Sequence, residues 1–148
     1  MAGASHHTLT TPSLPGAKLL IVVAPYYKDI ADDLIAGALA EIDGAGATAE
    51  VVEVPTAIGF AHRSGQYDGF VALGCVIRGE TTHYDTVCND SSRAIQLLGL
   101  DGACIGNGIL TVETHEQAAV RANPSDQNKG GGAAAAALHL IALKRRWS

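Results

Sequence analysis

Within six positions, the run Arg78-Gly79-Glu80-Thr81-Thr82-His83 collects residues able to hold an anion and move a proton. A strand-like stretch, Phe70-Val71-Ala72-Leu73, leads into it through Gly74-Cys75-Val76-Ile77; the chain turns polar at Arg78, breaks at Gly79 and takes helical spacing from Thr82. A strand, a glycine turn and a helix start gather several backbone N–H groups around one point. The first N–H groups of a helix have no internal partner, and the helix dipole favours negative charge beside them, so the place suits a phosphate or another anion. His83 then supplies a side chain whose ordinary pKa suits proton transfer near neutrality. The same residues also make a common strand-to-helix turn, with Gly79 supplying positive φ and threonine capping the helix. A histidine after such a turn is often merely solvated.

The elements that must position this segment follow from apolar runs that alternate with helical patterns. Leu19–Ala24 reads as a buried strand ending at Pro25, and Asp29 is the expected cap of a helix with Ile30, Leu34, Ile35, Ala38, Leu39 and Ile42 on one face. Ala49–Val54 reads as a second strand, stopped by Pro55 and followed by a short helix over Ala57–His62. The third strand is Phe70–Val76, with its helix over Thr82–Leu98. The fourth strand, Ala103–Leu110, carries Gly106 and Gly108, glycines of the kind that mark close approach of a ligand or another backbone. Thr114-His115-Glu116-Gln117 has the pattern of a capping box, and Asn128 is the expected cap of a last helix whose Ala133–Ala137 run packs tightly. Strand and helix repeated in this way predict an α/β fold with a parallel sheet covered on both faces. Ligands bind such sheets at the carboxyl ends of the strands, where Pro25-Tyr26-Tyr27, Pro55, Gly79–His83 and Asn107-Gly108 are expected.

Composition excludes several classes. A chain of 148 residues is one domain, here a flexible N-terminal segment over 1–17 and a folded unit over 18–148. The net charge of −5 argues against nucleic acid, whose phosphates need a basic face, and Lys144-Arg145-Arg146 reads as the cationic end of a helix. Cys75, Cys88 and Cys104 have no metal-ligand spacing and read as reduced thiols of a cytoplasmic protein. No apolar run approaches the ~20 residues of a membrane helix. The N-terminus lacks the basic start and apolar core of a secretory signal, and His6-His7 reads as part of a tail.

Taken together, Gly74–Val87, Gly106–Glu113, Glu116-Gln117-Ala118 and Asn128-Lys129-Gly130-Gly131, in this order, resemble lumazine synthases of riboflavin biosynthesis. The resemblance runs from about Lys18 to Trp147. It implies a flavodoxin-like three-layer α/β/α fold with a four-stranded parallel sheet, open to extension by the N-terminal segment. It further implies a homo-oligomer, with a pentameric ring as the minimum and a 60-subunit cage compatible with the compact spacing from Arg121 to Lys129. The implied reaction joins 5-amino-6-(D-ribitylamino)uracil to 3,4-dihydroxy-2-butanone 4-phosphate. It passes through imine formation, phosphate elimination and ring closure, with neither metal nor organic cofactor, and the product goes on to riboflavin synthase.

By the same resemblance, Tyr26 stacks on the pyrimidine, Val76 and Ile77 form the apolar wall, and Glu80 and Thr81 receive the phosphate. Glu80 does so through its backbone N–H, since its carboxylate repels the ligand. His83 transfers protons. Arg121 clamps the phosphate from the adjacent subunit, Lys129 adds a second cation, and Asn107 belongs to the neighbour's contribution. Two departures stand out. Family members carry a longer segment after the second strand, rich in pocket contacts, and about six of its residues have no counterpart between Val54 and Thr56. Pro25 stands where an arginine is common, fixing φ and removing a donor just before Tyr26. Two functions therefore stay open at this point: the active synthase, and a catalytically impaired scaffold or ribityl-binding shell of the same fold.

Overall fold

The β-branched run of β1 (Lys18–Val23) forms the buried centre of the molecule, with every residue after Lys18 inaccessible to solvent. The computed structural model describes residues 10–54 and 56–148; the expectations placed on His6-His7 and Pro55 lie outside them. After β1 come α1 (Lys28–Gly44), β2 (Thr48–Val52), α2 (Ala57–Ser64), β3 (Gly69–Ile77), α3 (His83–Leu100), β4 (Ile105–Val112), α4 (His115–Ala122) and α5 (Lys129–Trp147). The four strands pair in parallel in the order β2-β1-β3-β4, the doubly wound flavodoxin arrangement.

The sheet separates two apolar layers. Leu19, Ile21, Val23, Val71 and Leu73 point to one face, where Ile30, Leu34, Ala38 and Ile42 of α1 and Ala134, Ala137, Leu138 and Ile141 of α5 cover them. Leu20, Val22, Phe70 and Ala72 point to the other, beneath Ile58 of α2, with Ile95 and Leu98 of α3 only partly buried there. Alternation along each strand produces this division. Coverage is unequal, since α3 contributes no fully buried residue.

The close approach expected at Gly106 is to backbone. A Cβ there would lie 1.7 Å from the Ala133 carbonyl oxygen, so α5 rests directly on β4. At Gly130 a Cβ would lie 2.1 Å from the Leu34 carbonyl oxygen, which seats the same helix on α1. Asn128 caps α5 as expected: its side chain accepts from the Gly131 N–H at 3.1 Å while its own backbone takes a left-handed φ of 46°.

Four local expectations need correction. Thr82 holds the cap position of α3 but makes no side-chain cap bond. Asp29 does not cap α1; Tyr27 occupies the cap position without a side-chain bond, and Asp29 instead reaches His115 at 2.9 Å. Gly79 is not among the residues with positive φ, so the strand-to-helix turn is made without left-handed backbone there. The fourth strand runs two residues later than the pattern suggests, which puts Asn107 near its beginning rather than its end. Its alternation of buried and open positions continues through Leu110 and Val112, and β pairing to Val76 and Ile77 carries the strand on.

Candidate active site

The chain crosses from β1 to β2 on one side and then back past β1 to β3, so the carboxyl ends of β1 and β3 lead to helices on opposite faces. A crevice opens at such a point. It holds a cavity of about 520 Å³, within the usual range for small-molecule sites.

The elements deliver its walls in order. β1 ends at Val23; Ala24 follows it, and the turn beyond carries Tyr26 and Tyr27 to the rim, their rings edge to face at 4.9 Å. Tyr26 is 83% exposed, its ring open to a ligand. Half-buried Cys75, Val76 and Ile77 at the end of β3 make the floor, and Gly79, Thr81 and His83 follow at the mouth. Tyr84, Val87 and Ser91 close the side. They recur at helical spacing, so one face of α3 is turned toward the cavity. Burial, then the negative charge of Asp29, pushes the Cys75 thiol up to about 11, so this wall is neutral and apolar.

At the mouth, the Asp85 and Thr86 N–H groups bond back to the Thr82 carbonyl at 3.1 and 3.3 Å, and the His83 N–H donates to Thr81 Oγ1 at 3.3 Å. The N–H groups of Glu80, Thr81 and Thr82 meet no acceptor among the described residues. These open donors lie in the turn just ahead of α3, beside the positive end of its dipole, a placement that suits an anion.

The structure thus brings together Tyr26, Val76, Ile77, Thr81 and His83. Glu80 lies exposed in the same turn but does not line the cavity. Asn107 stands on β4 beside Ala72 and accepts from the Ile109 N–H at 3.0 Å. Arg121 lies in the last turn of α4, where its Nη1 donates to the Gln117 carbonyl at 2.9 Å, and Lys129 opens α5. None of these three lines the cavity of its own chain.

Two arrangements escape sequence reading. Arg78 Nε donates to Glu113 Oε1 at 3.0 Å, its Nη1 lies 3.6 Å from Asp85, and its guanidinium sits 4.2 Å over the Tyr84 ring. The Glu113 bond, ahead of the charges of Glu113 and Asp85, holds that guanidinium still more firmly protonated than usual. The Asp29–His115 pair links the first turns of α1 and α4, with the His115 ring edge-on to Tyr27 at 6.4 Å. The polar residues at Arg78 and Asp85 carried a faint signal, being seven apart across a turn, but Glu113 and His115 are distant in sequence.

The family model for 6,7-dimethyl-8-ribityllumazine synthase matches residues 16–145. A relative of that name from Jannaschia sp. (strain CCS1) is 54% identical over 154 residues, covering 99% of this chain and 86% of its own length. One from Methylobacterium radiotolerans is 54% identical over 143 residues, covering 92% of this chain and 87% of the relative. One from Novosphingobium aromaticivorans is 52% identical over 138 residues, covering 89% and 99%. The first alignment spans 154 positions against the 148 residues here, so at least six positions of that relative face gaps. The connection between β2 and α2 spans residues 53–56. With the sheet order, the site at the switch point and the match along nearly its whole length, the chain belongs to the 6,7-dimethyl-8-ribityllumazine synthase family.

Proposed function

We propose that the protein condenses 5-amino-6-(D-ribitylamino)uracil with 3,4-dihydroxy-2-butanone 4-phosphate, giving 6,7-dimethyl-8-ribityllumazine, phosphate and water. The observation that carries this reading is a cavity with an aromatic ring at one rim and, at the other, the open N–H groups of the turn that leads into α3, next to His83. In this reading Tyr26 stacks on the pyrimidine while Val76 and Ile77 hold its apolar side. The N–H groups of Glu80 and Thr81 receive the phosphate, with the Glu80 carboxylate turned outward. His83 protonates the departing hydroxyl as the imine forms, then moves protons during phosphate elimination and ring closure. Holding two reactive partners together supplies much of the acceleration, so few special side chains are needed.

Arg121, Lys129 and Asn107 serve the cavity of an adjacent copy. Their absence from their own cavity supports this, as does the thin coverage of α3, where Leu97 and Leu100 stand exposed, with Phe60 of α2 exposed as well. The assembly is a ring of five, and the compact Arg121–Lys129 turn permits closure into a 60-subunit cage. Among the described residues no helix is long and apolar enough to cross a membrane; the working place is the cytoplasm, where riboflavin synthase takes the product. The second reading, a shell without turnover, rests on the short β2–α2 connection alone, and the relatives' shared name gives it no support.

The test is lumazine formation, followed by absorbance, with purified protein and both substrates. Turnover that needs both substrates and releases phosphate supports the synthase. Tight binding of the pyrimidine without product would favour the shell.

A further inference from the structure

We propose that Arg78 is a positioning residue that sets both phosphate-facing parts of the site, an inference that rests on the function proposed above. Arg78 is the first residue beyond β3, and its backbone N–H donates to the Val112 carbonyl at 2.9 Å, extending the pairing with β4 by one step. Its side chain therefore leaves a fixed backbone. The Nε edge meets Glu113 at the end of β4 at 3.0 Å; Nη1 faces Asp85 at 3.6 Å, and the guanidinium plane covers Tyr84 at 4.2 Å. Tyr84 and Asp85 directly follow His83, so a single planar group grips the first turn of α3 by charge and by stacking.

The grip continues into α4. The Glu113 N–H donates to Gln117 Oε1 at 2.9 Å, and the Gln117 carbonyl accepts from Arg121 at 2.9 Å. One line of contacts thus runs from the His83 turn through Arg78, Glu113 and Gln117 to Arg121. With a carboxylate on either side, Arg78 is already neutralised and does not act as a loose cation for the ligand. Its side chain and those of Asp85 and Glu113 are all about half accessible, and exposed ion pairs add little to stability. What the brace supplies is geometry. In a ring its two ends belong to two adjacent sites, so loosening it disturbs the phosphate side of each site from both directions. Lysine offers a point charge and cannot hold two carboxylates while stacking on a ring.

The experiment compares the full chain with Arg78→Gln, Arg78→Lys and Glu113→Gln. Each substrate is varied in turn, and inorganic phosphate binding is measured by calorimetry. In Arg78→Gln, the KM for the butanone phosphate should rise roughly tenfold to a hundredfold, the scale of a small misplacement. Phosphate binding should weaken in parallel, while the KM for the pyrimidine and the sedimentation coefficient stay unchanged. Arg78→Lys should not restore it, and Glu113→Gln should reproduce part of the loss. Unchanged constants, full rescue by lysine, or equal loss toward both substrates overturns the proposal. Should the unaltered chain form no lumazine, the functional reading fails by itself, and the phosphate comparison alone then decides Arg78.

Discussion

At the residue scale, the proton-transfer role assigned to His83 predicts that His83→Ala lowers kcat by about 10²–10⁴-fold with sedimentation unchanged; equal kcat would remove it from the mechanism. Loss of a charged hydrogen bond to phosphate is worth about 1.5–3 kcal/mol. Arg121→Ala should therefore raise the KM for the butanone phosphate by about tenfold or more, with little effect on the pyrimidine, and varying each substrate separately checks this. Cys75 offers a pH test. A thiol pushed up to about 11 by burial stays protonated through the neutral range, and its reactive thiolate grows only as pH approaches that value. Alkylation at Cys75, followed by peptide mass spectrometry, should be slow at neutral pH and accelerate above about pH 10; rapid labelling at neutral pH would falsify the apolar-wall description. The mouth of the site was legible because Gly79–His83 is contiguous. Arg78 as a brace was not, since its meaning depends on Glu113, which only the β3–β4 register brings alongside.

At the scale of elements, caps reveal what sequence carries well and what it does not. Thr114 accepts from the Gln117 N–H at 3.2 Å as the capping-box pattern expects, but the Gln117 side chain returns to the Glu113 N–H rather than to that of Thr114. The pattern specified the helix start; the neighbouring strand end decided the return bond. Asp29 shows the limit from the other side. Its position suited a cap, yet His115, far along the chain, claims the carboxylate. Asn128 was readable because asparagine tolerates the left-handed region and caps well. Asn128→Ala loses the cap, about 1 kcal/mol, and forces alanine into a left-handed φ, about 1–2 kcal/mol more. The unfolding midpoint should fall by several degrees, whereas Asn128→Gly, which keeps the backbone freedom, should cost only a few tenths of a kcal/mol.

At the scale of the molecule, alternating strands and helices made the doubly wound sheet legible, since parallel neighbours need covered crossovers. The strand order and the weak seating of α3 were not legible, because they depend on which face each crossover takes and on surfaces outside one chain. Leu100 is 86% and Phe60 79% exposed, on the elements that flank the thinly covered face. If His83 and Arg121 from adjacent copies build one site across a head-to-tail interface, two inactive variants can complement each other. His83→Ala and Arg121→Ala chains, co-refolded, should recover activity above either alone, because some interfaces then pair an intact His83 with an intact Arg121. Absence of recovery in rings shown to be mixed would place both residues in one chain's site.

The seating of α5 also bears on how the protein would look in a saturation mutagenesis screen. At Gly37, Gly106 and Gly130 a single methyl group would sit 2.2 Å or less from Asn128, Ala133 or Leu34. Such a screen would score these positions, which have no side chain to contribute, among the least tolerant in the chain. Tyr26, exposed at the rim, would score as permissive for folding and be revealed only by selection on catalysis. Ranking positions by intolerance alone would therefore trace the contacts of one helix and miss the chemistry.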